Sequence, residues 1–313
     1  MDHSLPVLFD RLRKEETRWD AILELKMMHF PGIAKALVHS LRDPDWVVRW
    51  AVAEKLGDLQ DPIALEGLCG LLADPDVHVK QNAVKSILKF GLAAVPALVA
   101  QFANVDPKVR KEVLALLLSL GDECIYDLER VLKKQDWVVG NRIVDTIWRL
   151  GGEKAEDALI RALSFKPVQK NVIMMLGMMN SKKSIPHLIH LFEHSGLRRL
   201  ILYTLARLGE DEVAPQLIKA LSHPDQALMA KALIVKMGTP MLPFLLKALT
   251  KKSSLRPTLL GLIERIGPQK AMPILHKLAQ KDSEIKDLTK ALRKKYPDKE
   301  AQDPLSSLLG IFK

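Results

Sequence analysis

The feature that most constrains this chain is a mark that returns at nearly constant intervals. Glycine stands at 91, 121, 151, 209, 238 and 267, and Gln60 and Asn180 complete the series. The successive spacings are 31, 30, 30, 29, 29, 29 and 29. A residue that tolerates positive φ just after an apolar helical run is a helix stop. Asn is the usual second choice there, which leaves Gln60 as the exception. Eleven residues before each mark stand Arg49, Lys80, Arg110, Gly140, Gln169, Arg198, Ala227 and Arg256. Shortly before these come Asp43-Pro44, Asp74-Pro75, Asp106-Pro107, Lys166-Pro167 and His223-Pro224, where Pro blocks continuation of the preceding helix. After many marks a helix opens near Pro96, Pro186, Pro215, Pro243 or Pro273, since Pro suits a first helical turn. One unit is therefore helix, Asx-Pro turn, helix and stop. Neither helix buries its apolar stripe alone, so stacked neighbours must share a core.

Composition agrees. The 313 residues are 48% hydrophobic but only 5% aromatic, a Leu- and Ala-rich mix that favours helices. Cys69 and Cys124 are far apart and form no metal or redox pattern, which fits a reducing compartment. The first residues, MDHSLPVLFDRLRKEE, carry acids and no cleavable apolar run, and no stretch nears the roughly 20 apolar residues of a membrane span. A cytoplasmic location is the expectation. The net charge of +10 is uneven: residues 1–150 hold 20 Lys+Arg and 22 Asp+Glu, while residues 151–313 hold 27 and 15. That asymmetry points to an anionic partner for the second half or to a solubilising face.

The segments LRDPDWVVRWAVAEKLGDLQDPIAL and LADPDVHVKQNAVKSILKFG resemble HEAT-like repeats of the phycobilisome-lyase type. The resemblance covers about residues 30–282. It implies an α-solenoid, a right-handed superhelical stack of about nine helical hairpins whose second helices line the concave face. The expected organisation is one array over residues 1–296, with residues 4–29 as N-terminal capping helices, followed by 297–313 as linker and apolar tail. Relatives of this type include bilin lyase subunits, scaffolds and assembly factors, and related solenoids include alkylpurine DNA glycosylases. A fold of this kind leaves function to particular sites.

Asp43 and Arg49 in DPDWVVRW recur as Asp74 and Lys80, and nearly as Asn104 and Arg110. Stacked in a solenoid, the acid meets helix N–H groups and the base bridges to an acid of its own or a neighbouring repeat. Gly140 and Gln169 interrupt that basic series. The tryptophans stand apart: Trp46 is matched by Trp137 at the equivalent position, and Trp50 follows Trp46 by one helical turn. With Asp45 and Asp136 beside them, they read either as space-filling rings or as a wall for a flipped, positively charged base.

His187, His190 and His194 share a helix, but the outer two lie about 10 Å apart by helix rise, too far for one ion. The paired His-Glu motifs of di-iron HEAT-like hydroxylases, P-loops and dinucleotide fingerprints are not found. No cofactor, metal or catalytic residue is expected. Met174, Met175, Met178 and Met179 read as core or as adaptable binding surface. Residues 213–299 hold 17 Lys+Arg and 6 Asp+Glu. Clustered cations suit phosphate, and sparse aromatics argue against base stacking. After a polar linker, LSSLLGIFK either folds back on the last repeat or docks into a partner's groove.

The expected function is a non-enzymatic scaffold or assembly adaptor with a protein partner. The candidate contacts are Trp46, Trp50, Trp137, Lys251, Lys252, Arg256, Lys290, Arg293, Lys294, Leu308, Leu309 and Phe312. Nucleic-acid binding, including base-excision chemistry, is the alternative, with an anionic surface or nucleic acid taken by the basic half. A bilin-lyase-like subunit is the third reading.

Overall fold

A computed structural model describes residues 5–194, 196–249, 253–280 and 283–295. These residues hold twenty α-helices and no strand. In chain order they are α1 (Leu5–Arg13), α2 (Arg18–Met27), α3 (Ile33–Val38), α4 (Trp46–Leu59), α5 (Leu65–Gly70), α6 (Val77–Lys89), α7 (Val95–Ala100), α8 (Pro107–Ser119), α9 (Ile125–Leu132) and α10 (Trp137–Leu150). There follow α11 (Gly152–Ala162), α12 (Gln169–Met178), α13 (Ile185–His194), α14 (Arg198–Leu208), α15 (Glu210–Ala220), α16 (Pro224–Met237), α17 (Leu242–Leu249), α18 (Arg256–Ile266), α19 (Pro268–Ala279) and α20 (Ser283–Lys295). The chain forms two compact units, Met1–Met175 and Leu176–Lys313. The single array over 1–296 remains an expectation. Within each unit, helical hairpins pack on their neighbours as an α-solenoid does.

The stop signals work as the sequence implies, and Gln60 is no exception. Gln60 takes φ 51° and ψ 27°, in the left-handed region, and Asn180 takes φ 57°. Gly91, Gly121, Gly151, Gly209 and Gly238 share positive φ. The side chain of Gln60 donates to the carbonyl of Lys89 in the next repeat, which helps hold a conformation that costs a non-glycine residue roughly 1 kcal/mol. Gly267 departs from the series, at an extended φ of 161°. Pro215 and Pro273 also depart from expectation. They lie inside α15 and α19, because there the preceding turn has merged into the helix.

The second helix of each repeat begins on an aspartate in α4, α6, α8 and α10. Asp45, Asp76, Asp106 and Asp136 are the N-caps, accepting from backbone N–H groups two or three residues on. Asp43, Asp74 and Asn104 sit just before the first three caps and accept from the N–H groups of Asp45, Asp76 and Asp106 at 2.9 Å.

The position of Arg49 has a repeated structural duty. Arg49 Nη1 donates to the carbonyls of Asp43 and Pro44 at 2.9 and 3.0 Å. Arg110 Nη1 donates to Asn104 and Val105 at 2.7 and 2.8 Å. Arg198 Nε donates to the Phe192 carbonyl at 3.1 Å. Each satisfies a carbonyl left open where the preceding element ends. Gln169 does not interrupt this series: its Nε2 donates to Leu163 at 2.7 Å. At Gly140 a side chain has no room, since a Cβ would lie 2.8 Å from Val168.

One further copy emerges at the start. Arg18, one repeat before Arg49, donates from Nε to the Leu12 carbonyl at 3.2 Å, with the same offset along the chain. The third and seventh residues after this position form the core in every copy from α2 to α18. Val52, Ala83, Val113 and Ile143 are fully buried in the first unit, as are Leu56, Ile87, Leu117 and Ile147. Ala21 and Leu25 continue both rows into α2. The expected capping pair is thus a repeat in its own register.

Candidate protein-interaction faces

The same register defines what each second helix shows outward. The first, fifth and ninth residues after the Arg49-type position lie on one helix face, opposite the buried third and seventh. On α2 they are Trp19, Leu23 and Met27, exposed by 72%, 61% and 83%. On α4 they are Trp50, Glu54 and Asp58. On α6 they are Gln81, Lys85 and Lys89, on α8 Lys111, Ala115 and Ser119, and on α10 Asn141, Asp145 and Arg149. The first unit therefore presents a bare apolar stripe at α2, then a face of mixed charge.

Several of those charges are taken up between repeats. Lys26 pairs with Glu54 at 2.9 Å, and Lys89 pairs with Asp58 at 2.5 Å. Trp19, Leu23 and Met27 stay uncovered among the described residues. A contiguous exposed apolar patch on one helix is the usual sign of an interaction site. Between α6 and α8 an open groove of about 290 Å³ is lined by Val77, Lys80, Gln81, Val84, Lys108 and Glu112, among others.

The second unit shows a different face. On α14 the three positions are Arg199, Tyr203 and Arg207; on α16, Leu228, Ala232 and Lys236; on α18, Pro257, Gly261 and Arg265. One repeat further on, the same positions of α20 are Lys286, Lys290 and Lys294. Seven of these twelve residues are basic and none is acidic. All seven cations are exposed.

The residues singled out from sequence fall into three groups. Trp46, Trp50 and Trp137 belong to the first unit. Trp46 is 42% exposed with its ring centroid 5.9 Å from that of His78, Trp50 is half-buried, and Trp137 is 65% exposed. Trp46 and Trp137 each open a second helix three repeats apart, so by helix spacing they stand roughly 30 Å from one another and share no pocket. Asp45 and Asp136, the acids considered for base chemistry, are engaged as caps. Asp45 Oδ1 accepts from Val47 at 2.8 Å, and Asp136 Oδ1 accepts from Val138 and Val139 at 2.8 and 2.9 Å.

In the second unit Lys290 and Lys294 lie on the outward face of α20. Arg293 lies on the same helix but off that face. Arg256 occupies the Arg49-type position and is half-buried. Lys251, Lys252, Leu308, Leu309 and Phe312 lie outside the described residues. His187 and His190 sit on α13, and among the described residues no group of three or more His, Cys, Asp or Glu side chains is placed to hold a metal ion.

The anchors that sequence reasoning missed are Trp19, Leu23 and Met27. The register continued back from Arg49 by one repeat reaches them. Their repeat lacks the Asp-Pro turn and the left-handed stop that mark the others.

Two family models match the sequence. One for HEAT repeats matches residues 5–88, and one for the PBS lyase HEAT-like repeat matches residues 197–223. No curated protein sequence matches. Among solved structures, the chain is similar to human deoxyhypusine hydroxylase in complex with glycerol at 17% identity. That alignment covers 73% of this chain and 93% of that one, with a TM-score of 0.30. It is similar to the complex of CpcE and CpcF of phycocyanin lyase from Nostoc sp. at 20% identity, covering 74% and 94%, with a TM-score of 0.29. It is also similar to importin beta at 13% identity, covering 92% and 50%, with a TM-score of 0.29. The HEAT match begins at α1, in the repeat revealed by Arg18, and the second falls on α14 and α15. The chain carries HEAT-like repeats at these two stretches, and its described residues fold as the stacked helical hairpins of an α-solenoid.

Proposed function

We propose that this protein is a non-enzymatic scaffold that holds a protein partner on the outward faces of its second helices. The observation that carries this reading is the stripe of Trp19, Leu23 and Met27 on α2, with Trp50 at the equivalent position of the next repeat. Large apolar and aromatic side chains flanked by polar surface are the usual energetic centres of protein interfaces. Solenoids suit this role because equivalent positions from successive repeats add up to a long surface.

The test is capture of crosslinked partners by the full chain and by a Trp19→Ala/Leu23→Ala/Met27→Ala variant. The scaffold reading requires a defined protein that binds the full chain and is lost by the variant. An unchanged set of captured proteins would sink it.

Nucleic-acid binding is the second reading, favoured by the seven basic positions of the second unit. Its mark is a steep fall in affinity with salt, measured by anisotropy of labelled duplex and single strands. Base excision through Trp46 and Asp45 loses its support, because the Asp45 carboxylate serves as a cap.

A cytoplasmic setting fits the two buried free cysteines. Burial pushes the Cys69 thiol up to about 12 and the Cys124 thiol up to about 11, which keeps both unreactive. No single helix among the described residues is long and apolar enough to cross a membrane.

A further inference from the structure

We propose that residues 297–313 of this chain dock on the outward face of α14 and α16, with their acids along its cations and their apolar residues on Tyr203 and Leu228. This surface is separate from the α2 stripe, so the proposal stands or falls independently of the scaffold reading.

The face combines two chemistries that seldom share one site. Tyr203, 65% exposed, lies between Arg199 and Arg207, one helical turn from each. Leu228, 76% exposed, stands on the next second helix, with Lys236 two turns beyond it. Neither arginine nor the lysine has an ion-pair partner among the described residues. A purely anionic ligand would satisfy the cations and leave Tyr203 and Leu228 in water. An acidic segment followed by an apolar one satisfies both.

The chain carries such a segment. Asp298, Glu300 and Asp303 precede Leu305, Leu308, Leu309 and Phe312. The four apolar residues follow the spacing of one helical face. They lie outside the described residues, so the argument rests on their order and on reach. After Lys295, where α20 ends, residues 296–304 extend to at most about 30 Å. Second helices of adjacent repeats lie about 10 Å apart, so α16 is roughly 20 Å and α14 roughly 30 Å along the stack from α20. The acids would cross Lys294, Arg265 and Lys236, which line the C-terminal ends of these helices.

The test uses the full chain with its own segment disabled by Leu308→Asp/Leu309→Asp/Phe312→Asp, and a fluorescent peptide of residues 297–313. Saturable binding at micromolar peptide is expected, weakened by salt because the acids contribute. Adding Tyr203→Ala/Leu228→Ala, or Arg199→Glu/Arg207→Glu, is expected to weaken it about tenfold or more. Trp19→Ala is expected to leave it unchanged. The unmodified full chain, its face already occupied, is expected to bind the peptide at least about tenfold more weakly. Absence of saturable binding would overturn the proposal. So would binding indifferent to the α14 and α16 substitutions, as for a cap on the last repeat. An oligonucleotide that binds this face where the peptide does not would overturn it too.

Discussion

Arg49 and Asp74 form a two-point pair across a repeat boundary, Nε to Oδ2 at 2.7 Å and Nη2 to Oδ1 at 2.9 Å, with both side chains largely buried. The bond to Asp74 holds the Arg49 guanidinium above its ordinary pKa, against the opposing effect of burial. Asp74→Ala leaves that charge without its partner and is expected to cost about 3 kcal/mol, as breaking a buried pair usually does. Arg49→Met/Asp74→Leu removes both charges and is expected to cost clearly less. Urea unfolding of the parent and the two variants measures the difference, and equal losses would refute the account.

The left-handed stops make opposite predictions for glycine and non-glycine positions. Gly121, at φ 71°, has open space where a Cβ would go, so Gly121→Ala acts through the backbone alone. It is expected to destabilise by about 1–2 kcal/mol. Asn180→Gly, at φ 57°, is expected to stabilise by up to about 1 kcal/mol. Thermal unfolding reads both signs.

Gly57 serves close packing. A Cβ there would lie 2.6 Å from the Cβ of Ser86, on the facing helix of the next repeat. Gly57→Ala is expected to cost roughly 1–3 kcal/mol. Ser86→Gly in the same chain is expected to recover part of that loss, because it removes both atoms that lie 2.6 Å from the added carbon, the Cβ and the Oγ. A Ser86→Gly chain that loses as much to Gly57→Ala as the parent does would refute the contact.

The buried thiols set the alkaline limit. A folded pKa of about 12 for Cys69, above the unfolded value near 8.5, favours the folded state below that lower value. The contribution is lost as pH rises from about 8.5 toward 12, because the unfolded chain ionises first. Cys124 acts in the same direction up to about 11. By pH 10 the two thiols together are expected to cost roughly 2–4 kcal/mol. Cys69→Ala/Cys124→Ala should flatten that slope in urea titrations between pH 8 and about 10.

The period, the stops and the shared core were legible because each rests on a local residue preference repeated many times. The Arg49-type position was legible as a series, but its duty was not. Sequence suggested a charge, while the structure requires a donor within reach of an open carbonyl, which Gln169 supplies as well as Arg110 does. Asp43 and Asp45 show the same limit: both are acids near a helix start, and only the backbone tells the turn former from the cap. Trp19 escaped notice because its repeat lacks the punctuation of the others.

The bonds between repeats are not equal, and that has a consequence for how the first unit comes apart. Arg13 reaches Asp43 at 2.7 Å and Arg49 reaches Asp74, but at the next boundary the acid is replaced by Asn104. In a one-dimensional chain of coupled segments, cooperativity is set by the nearest-neighbour terms. The buried Arg49–Asp74 pair therefore ties α4 to α6 more firmly than the partly exposed Arg13–Asp43 pair ties α1 to α4, and beyond α6 lies a seam where fraying from the far end would first stop.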